Sequence, residues 1–359
     1  MVCLYGRYIM TKDVKLSNVK GLLIFLVVLG HLLLIVRGGM ESLIILIYSF
    51  HMPAFIFLNG YFAKNVNWKK ILNLLVLYII FQSFYAVITY ITHYGEVFSF
   101  RFTTPIFHLW YLVSLSCFYA VAIILNKIGK FRIGSIFIVV VILIMSVGIR
   151  WWTTGFLMEH PTISGQFLSL QRTFVFSPFF LLGFYINKET MGKLSNFLGT
   201  FKWKVFLSSL LIFIVIYTLS RNPLQFENAF YGFLQSSAFA DSVSQLLKVE
   251  FQQYIVALLM IAIIFMLVNN RENILTKWGD NSLVIFLFHP VFFFVIRMHA
   301  TDFLHWNIFV KLAFVVCISI LVCSFLVAIS RYIRWLLYPV DNILEFQEMK
   351  NKELLKEEV

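Results

Sequence analysis

Hydrophobic positions in this chain gather into long unbroken runs, separated by short clusters of Lys, Arg, Gly, Asn and Pro. A helix needs about 20 apolar residues to cross the hydrocarbon of a bilayer. A bilayer-length window finds about ten such runs, near 19–37, 42–62, 71–91, 109–125, 133–149, 174–186, 205–219, 254–268, 283–296 and 309–329. The sixth is short and contains Pro178, so its ends are the least defined. No internal repeat is evident. The pattern predicts an all-α polytopic membrane protein of about ten transmembrane helices. A leader (1–18) precedes a transmembrane domain (19–338), and a charged tail (339–359) follows it. The first run is too long for a cleavable signal peptide and lacks a small-residue cleavage site, while Met10 offers an alternative start.

Composition agrees with this class. Of the 359 residues, 60% are hydrophobic and only 13% charged, against roughly 25% charged in a soluble domain. Phe occurs 41 times, which suits lipid-facing and helix-packing surfaces. Basic residues fix the expected orientation. With the N-terminus inside, 21 of the 29 Lys and Arg fall on the cytoplasmic side, so both termini are expected to be cytoplasmic in a multi-pass cell-membrane protein. The +12 net charge is then a topology signal, and no nucleic-acid partner is needed to explain it. The stretch 341–359 alternates acid and base and reads as a solvated tail.

Cys117, Cys317 and Cys323 fall inside apolar runs and Cys3 in the leader, which suggests neither a disulfide framework nor a metal site. Two outward connections, 151–171 and 220–253, are longer than connectors need to be and rich in Phe, Tyr, Gln and Ser. They fit either a cap over a saccharide cavity or an interfacial aromatic belt.

Polar chemistry concentrates within the runs. His31 lies eleven positions after Lys20, so the two share a helix stripe with Ile24 and Val27, and His31 sits about 16 Å deeper. An ionisable group in a membrane span is a functional candidate by default. His51 and Asn59 fall in the second run, His108 and Trp110 open the fourth, and His289 precedes Pro290 in the ninth. Any one histidine could be a hydrogen-bonded structural group, and either proline a simple kink. Arg172 and Glu250 stand at outer ends of spans.

Five segments, KGLLIFLVVLGH (20–31), FHMPAFIFLNGY (50–61), HLWYLVSL (108–115), RTFVFSPFFLLGF (172–184) and GDNSLVIFLFHP (279–290), together resemble the acyltransferase 3 family, with a closer likeness to its fucose 4-O-acetylase-like branch. They occur in the family's order over nearly the whole chain. The resemblance implies a ten-helix membrane enzyme that moves an acyl group, usually acetyl from cytoplasmic acetyl-CoA, onto a carbohydrate hydroxyl at the outer face. The family's basic-residue and histidine motif lands on Lys20 and His31. Lys20 stands where the family usually has Arg, Ser17 where it has an acid, and Trp68-Lys69-Lys70 where it has paired arginines. Lys lacks the bidentate fork of Arg. With only a short tail after the tenth run, the expectation is a membrane domain acting alone or with a partner.

Acyl transfer needs a base near the acceptor oxygen, a site for the donor's phosphates and a stabiliser of the oxyanion. His31 is the expected base and His289 a second titratable group or oxyanion donor. Lys20, Lys69 and Lys70 stand where the phosphates of acetyl-CoA would arrive, though lipid headgroups would serve them equally. His51, Asn59, His108, Trp110, Arg172 and Glu250 are candidates to bind the saccharide acceptor. No resident cofactor is expected, acetyl-CoA being a substrate, and no metal, because His31, His51 and His289 lack a carboxylate or thiolate at ligand spacing. The rival reading is a proton-coupled transporter or flippase for a lipid-linked saccharide, which would use membrane histidines as a relay but would show an inverted repeat.

Overall fold

The computed structural model describes residues 13–93, 101–129, 131–159, 167–198, 200–220, 229–232, 240–303 and 305–343. Among them it contains helices and no strand. Helices α1 (Val14–Leu33), α2 (Glu41–Tyr48), α3 (His51–Phe62), α4 (Trp68–Ile91), α5 (Trp110–Ile128), α6 (Ile133–Glu159) and α7 (Leu170–Tyr185) are followed by α8 (Lys188–Leu198) and α9 (Phe201–Ser220). The series closes with α10 (Val243–Leu267), α11 (Ile274–Asp280), α12 (Ser282–Arg297) and α13 (Ile308–Ile333). Among the described residues eight helical stretches, α2 and α3 counting as one, are long and apolar enough to span a membrane, or up to ten if each of two bent pairs is one span.

The expected second span is α2 and α3 end to end, broken at Ser49 and Phe50. α11 and α12 meet at an 89° bend, so the expected ninth span is entered through a short helix lying across its mouth. The outward connections are shorter than the sequence suggested. α6 continues to Glu159 and α10 starts at Val243. Other parts of those connections, Cys3, Met10 and residues 344–359 of the tail lie outside the described residues.

Two glycine crossings hold the bundle together. α3 and α7 touch backbone to backbone: a Cβ on Gly60 would overlap the Phe180 carbonyl, and one on Gly183 would overlap that of Phe57. α1 and α11 do the same, Gly21 facing the Leu275 carbonyl and Gly279 that of Ser17. Between membrane helices, where burial from water supplies little drive, such small-residue contacts let van der Waals packing hold the elements. Next to the second crossing, buried Asn18 donates through Nδ2 to the carbonyls of Asn269 (3.0 Å) and Arg271 (2.9 Å) and accepts from Thr276 Oγ1. This fastens the loop before α11 to the start of α1. α6 and α13 lie at the periphery, where Ile133, Phe137, Ile144, Phe309 and Leu321 are exposed, an apolar surface suited to lipid.

Candidate active site

The break between α2 and α3 leaves the Ile47 carbonyl near the end of a helix, and His51 takes it up, donating from Nδ1 at 2.7 Å. On α12, His289 donates from Nδ1 to the Ile285 carbonyl at 2.9 Å, one turn back, beside the point where Pro290 has no N–H to offer. A carbonyl can only accept, so in a neutral His289 the proton sits on Nδ1 and Nε2 carries a lone pair. That Nε2 lies 2.8 Å from Nδ1 of His31. His31 therefore donates from Nδ1, and its own lone pair is on Nε2. Two bonds running from a backbone carbonyl through His289 fix the tautomer of His31, leaving a proton acceptor on the ring edge away from the pair.

Aromatic rings hold this pair in position. The His31 and His289 rings stack at 5.1 Å between centroids, and Phe107 lies 4.5 Å from His31 and stacks on Phe293. Phe107 takes a left-handed φ of 49°, a conformation costly for a residue with a bulky side chain. Its loop is tied down to hold it there. Gln82 on α4 donates to the carbonyls of Arg101 (2.8 Å) and Thr104 (3.0 Å) and accepts from the N–H of Ile106 (3.0 Å), while Tyr78 donates to the Phe102 carbonyl at 2.6 Å. His108, 3% exposed, lies edge-on to Tyr85 and His289, and neither of its nitrogens meets a partner among the described residues.

His31 lines a cavity of about 570 Å³ together with His51, His108, Gln82, Trp110 and Arg172. Arg101, Thr104, Tyr48 and Tyr231 line it too. Arg172 is held firmly: its Nε donates to the Tyr231 carbonyl at 3.0 Å and its guanidinium lies 4.6 Å over the Trp110 ring. A second cavity of about 320 Å³ opens toward Lys20 and is lined by Asn59, Tyr111, Tyr119 and Ser282. Val27, Met52 and Phe286 line both cavities, so the two meet at these three side chains.

Across residues 13–329 the sequence matches the family profile described as an acyltransferase domain. The chain belongs to the acyltransferase 3 family. No curated protein and no solved structure gives a significant match. As a multi-pass membrane protein of this family, it has ordered segments that meet in space as well as in sequence. The first brings His31, the ninth span His289, the fourth His108 and Trp110, and the sixth Arg172.

The acyltransferase 3 residues named from sequence fall into three groups. His31, His51, His108, Trp110 and Arg172 line the histidine cavity, with His289 directly behind His31. Lys20 and Asn59 line the other cavity, where Asn59 hydrogen-bonds to Tyr111 and the Lys20 ammonium lies 4.8 Å over the Phe62 ring. Lys69 and Lys70 are exposed in the first turn of α4 and line neither cavity. Glu250 lies apart from both. It is buried on α10, 3.8 Å from Nε of the fully buried Arg150, which also donates to the Ala229 carbonyl at 2.6 Å. Phe107, Gln82, Tyr85 and Tyr231 were not foreseen. Gln82 was open to detection, as an amide inside an otherwise apolar run, but Phe107 is one of 41 phenylalanines and nothing local marks it.

Proposed function

We propose that this acyltransferase 3 protein is an O-acetyltransferase, moving an acetyl group from cytoplasmic acetyl-CoA to a hydroxyl of a cell-envelope or extracellular polysaccharide sugar. One observation carries the reading: a histidine with its tautomer fixed from behind stands beside the point where two cavities meet. On this reading both termini are cytoplasmic, the Lys20 cavity admits the donor from inside and the histidine cavity admits the acceptor from outside. The stripe from Lys20 through Ile24 and Val27 to His31 runs from one cavity to the other.

The acceptor hydroxyl gives its proton to Nε2 of His31 while its oxygen attacks the thioester carbonyl. The C–S bond then breaks, and the proton passes from His31 to the leaving thiolate, giving an ester and free CoA. His289 accepts from Nδ1 of His31 throughout. Both of its nitrogens are engaged, so it acts as a positioning residue and not as an oxyanion donor. Lys20 offers a point charge for the donor's phosphates, and the Asn59, Tyr111 and Tyr119 patch lies along the donor's path. The transporter reading has less support, since no repeat relates the two halves of the chain and the histidines form a fixed pair instead of a relay across the span.

The test is chemical. NMR of envelope polysaccharide from wild-type and deletion strains should show O-acetyl methyl signals only in the wild type. Identical spectra would overturn the reading.

A further inference from the structure

One part of the transfer step still lacks a residue. As the acceptor attacks, the thioester carbonyl oxygen becomes an anion, and it needs a donor that no other group has claimed. A neutral imidazole carries one N–H and one lone pair. Of the four histidines around the histidine cavity, His51 gives its N–H to the Ile47 carbonyl, His289 to that of Ile285 and His31 to His289. His108 differs from these three. It is buried and lines the cavity, yet neither of its ring nitrogens has a hydrogen-bond partner among the described residues. A buried donor left idle is disfavoured, and the loss is made good when an acceptor enters.

The fold sets this imidazole beside the reacting groups. His108 ends the loop that Gln82 and Tyr78 fasten, and its carbonyl accepts from the N–H of Tyr111 (3.2 Å) in the first turn of α5. Tyr85, whose hydroxyl is committed to the Leu287 carbonyl at 2.6 Å, meets its ring edge-on at 5.1 Å. Phe286 lies 4.9 Å and His289 5.5 Å from it between ring centroids. Phe286 is one of the three side chains at which the two cavities meet, and His289 stands directly behind His31. The idle N–H is thus close to both the junction and the base. Packing alone sets the rotation of the ring, so no hydrogen bond has to break for the N–H to turn toward an oxygen arriving there. Hydrogen bonds of this kind commonly close only around bound substrate.

We infer that His108 is the oxyanion donor of the transfer step. This rests on the acyltransferase reading of the site and supplies a part that reading leaves open. When the acceptor oxygen bonds to the thioester carbon, the carbonyl π pair moves onto its oxygen, and the His108 N–H donates to that charge while keeping its proton. The pair returns as the C–S bond breaks, and the thiolate takes the proton that His31 received from the acceptor. His108 then serves the acyl donor, where its place in the sequence suggested the saccharide.

The test is the initial rate per unit of inserted protein, measured with the full chain in lipid nanodiscs given acetyl-CoA and the glycans of a deletion strain. His108→Phe and His108→Leu, two apolar fillings of the same ring cage, should each lower kcat by about 10²- to 10³-fold. KM for acetyl-CoA and for the glycan should stay within about twofold of wild type, since the lost contact belongs to the transition state. His108→Gln keeps an N–H at similar reach and should recover about tenfold of the lost kcat. A kcat near wild type in either apolar variant, a loss carried by KM for the glycan, or a Gln variant no faster than the apolar ones would overturn the assignment while leaving the acyltransferase reading intact. Wild-type protein that forms no ester from acetyl-CoA would overturn both.

Discussion

His31 Nδ1 lies 2.8 Å from His289 Nε2, and the Ile285 carbonyl at the far side of His289 gives this contact a direction. On the proposed mechanism the pair is a base and its orienter. Replacing His289 by Leu removes the acceptor, frees the His31 tautomer and leaves a buried N–H unmatched, and kcat should fall by about 10²-fold or more. His289→Gln, whose amide oxygen can still accept, should retain more activity than Leu. Rates per unit of inserted protein for the two variants check this ordering.

The glycine crossings carry the fold rather than the chemistry. Gly183→Ala pushes a methyl group into the Phe57 carbonyl and should destabilise the bundle by roughly 1–3 kcal/mol. Gly148→Ala on α6, where a Cβ meets nothing within 4 Å, should be neutral or slightly stabilising. Thermal unfolding of the detergent-solubilised variants distinguishes the two.

Met52 is shared by both cavities and stands where, on the proposed reading, donor and acceptor meet. Met52→Trp should fill the junction and abolish ester formation, while acetyl-CoA still protects the Lys20 cavity from thiol labelling at an introduced Ser282→Cys. Full activity in this variant would place the transfer elsewhere.

Donor binding separates the lysines. Lys20→Ala should raise KM for acetyl-CoA about tenfold or more, whereas Lys69→Ala and Lys70→Ala, on the exposed first turn of α4, should change it less than twofold. Initial rates over a range of acetyl-CoA concentrations check this.

The sequence made the spans and most cavity residues legible, for physical reasons. A bilayer requires long apolar runs, and a polar side chain within one is conspicuous, so His31, His51 and His289 stood out, as did the helical stripe from Lys20. What sequence could not reveal was pairing across the bundle. Nothing local says that His289 faces His31 and not lipid, or that α11 lies across the mouth of α1. That packing depends on Gly21 and Gly279 approaching from positions over 250 residues apart. Glu250 was expected among the acceptor-binding groups because it stood at the outer end of a span. Its helix begins at Val243, earlier than the hydropathy suggested, and turns it toward Arg150. Phe107 reaches His31 from a loop through a left-handed backbone that a bulky residue seldom adopts.

The central claim is that His31 Nε2 removes the proton in the transfer step. Its most direct test is ester content per unit of inserted protein in His31→Gln. Gln fills much of the same space and can still donate to His289, but it cannot take a proton at neutral pH. A general base typically contributes 10²- to 10⁴-fold, so the account predicts a folded, inserted variant whose transfer falls by about that factor. Transfer near the wild-type level in His31→Gln would contradict it.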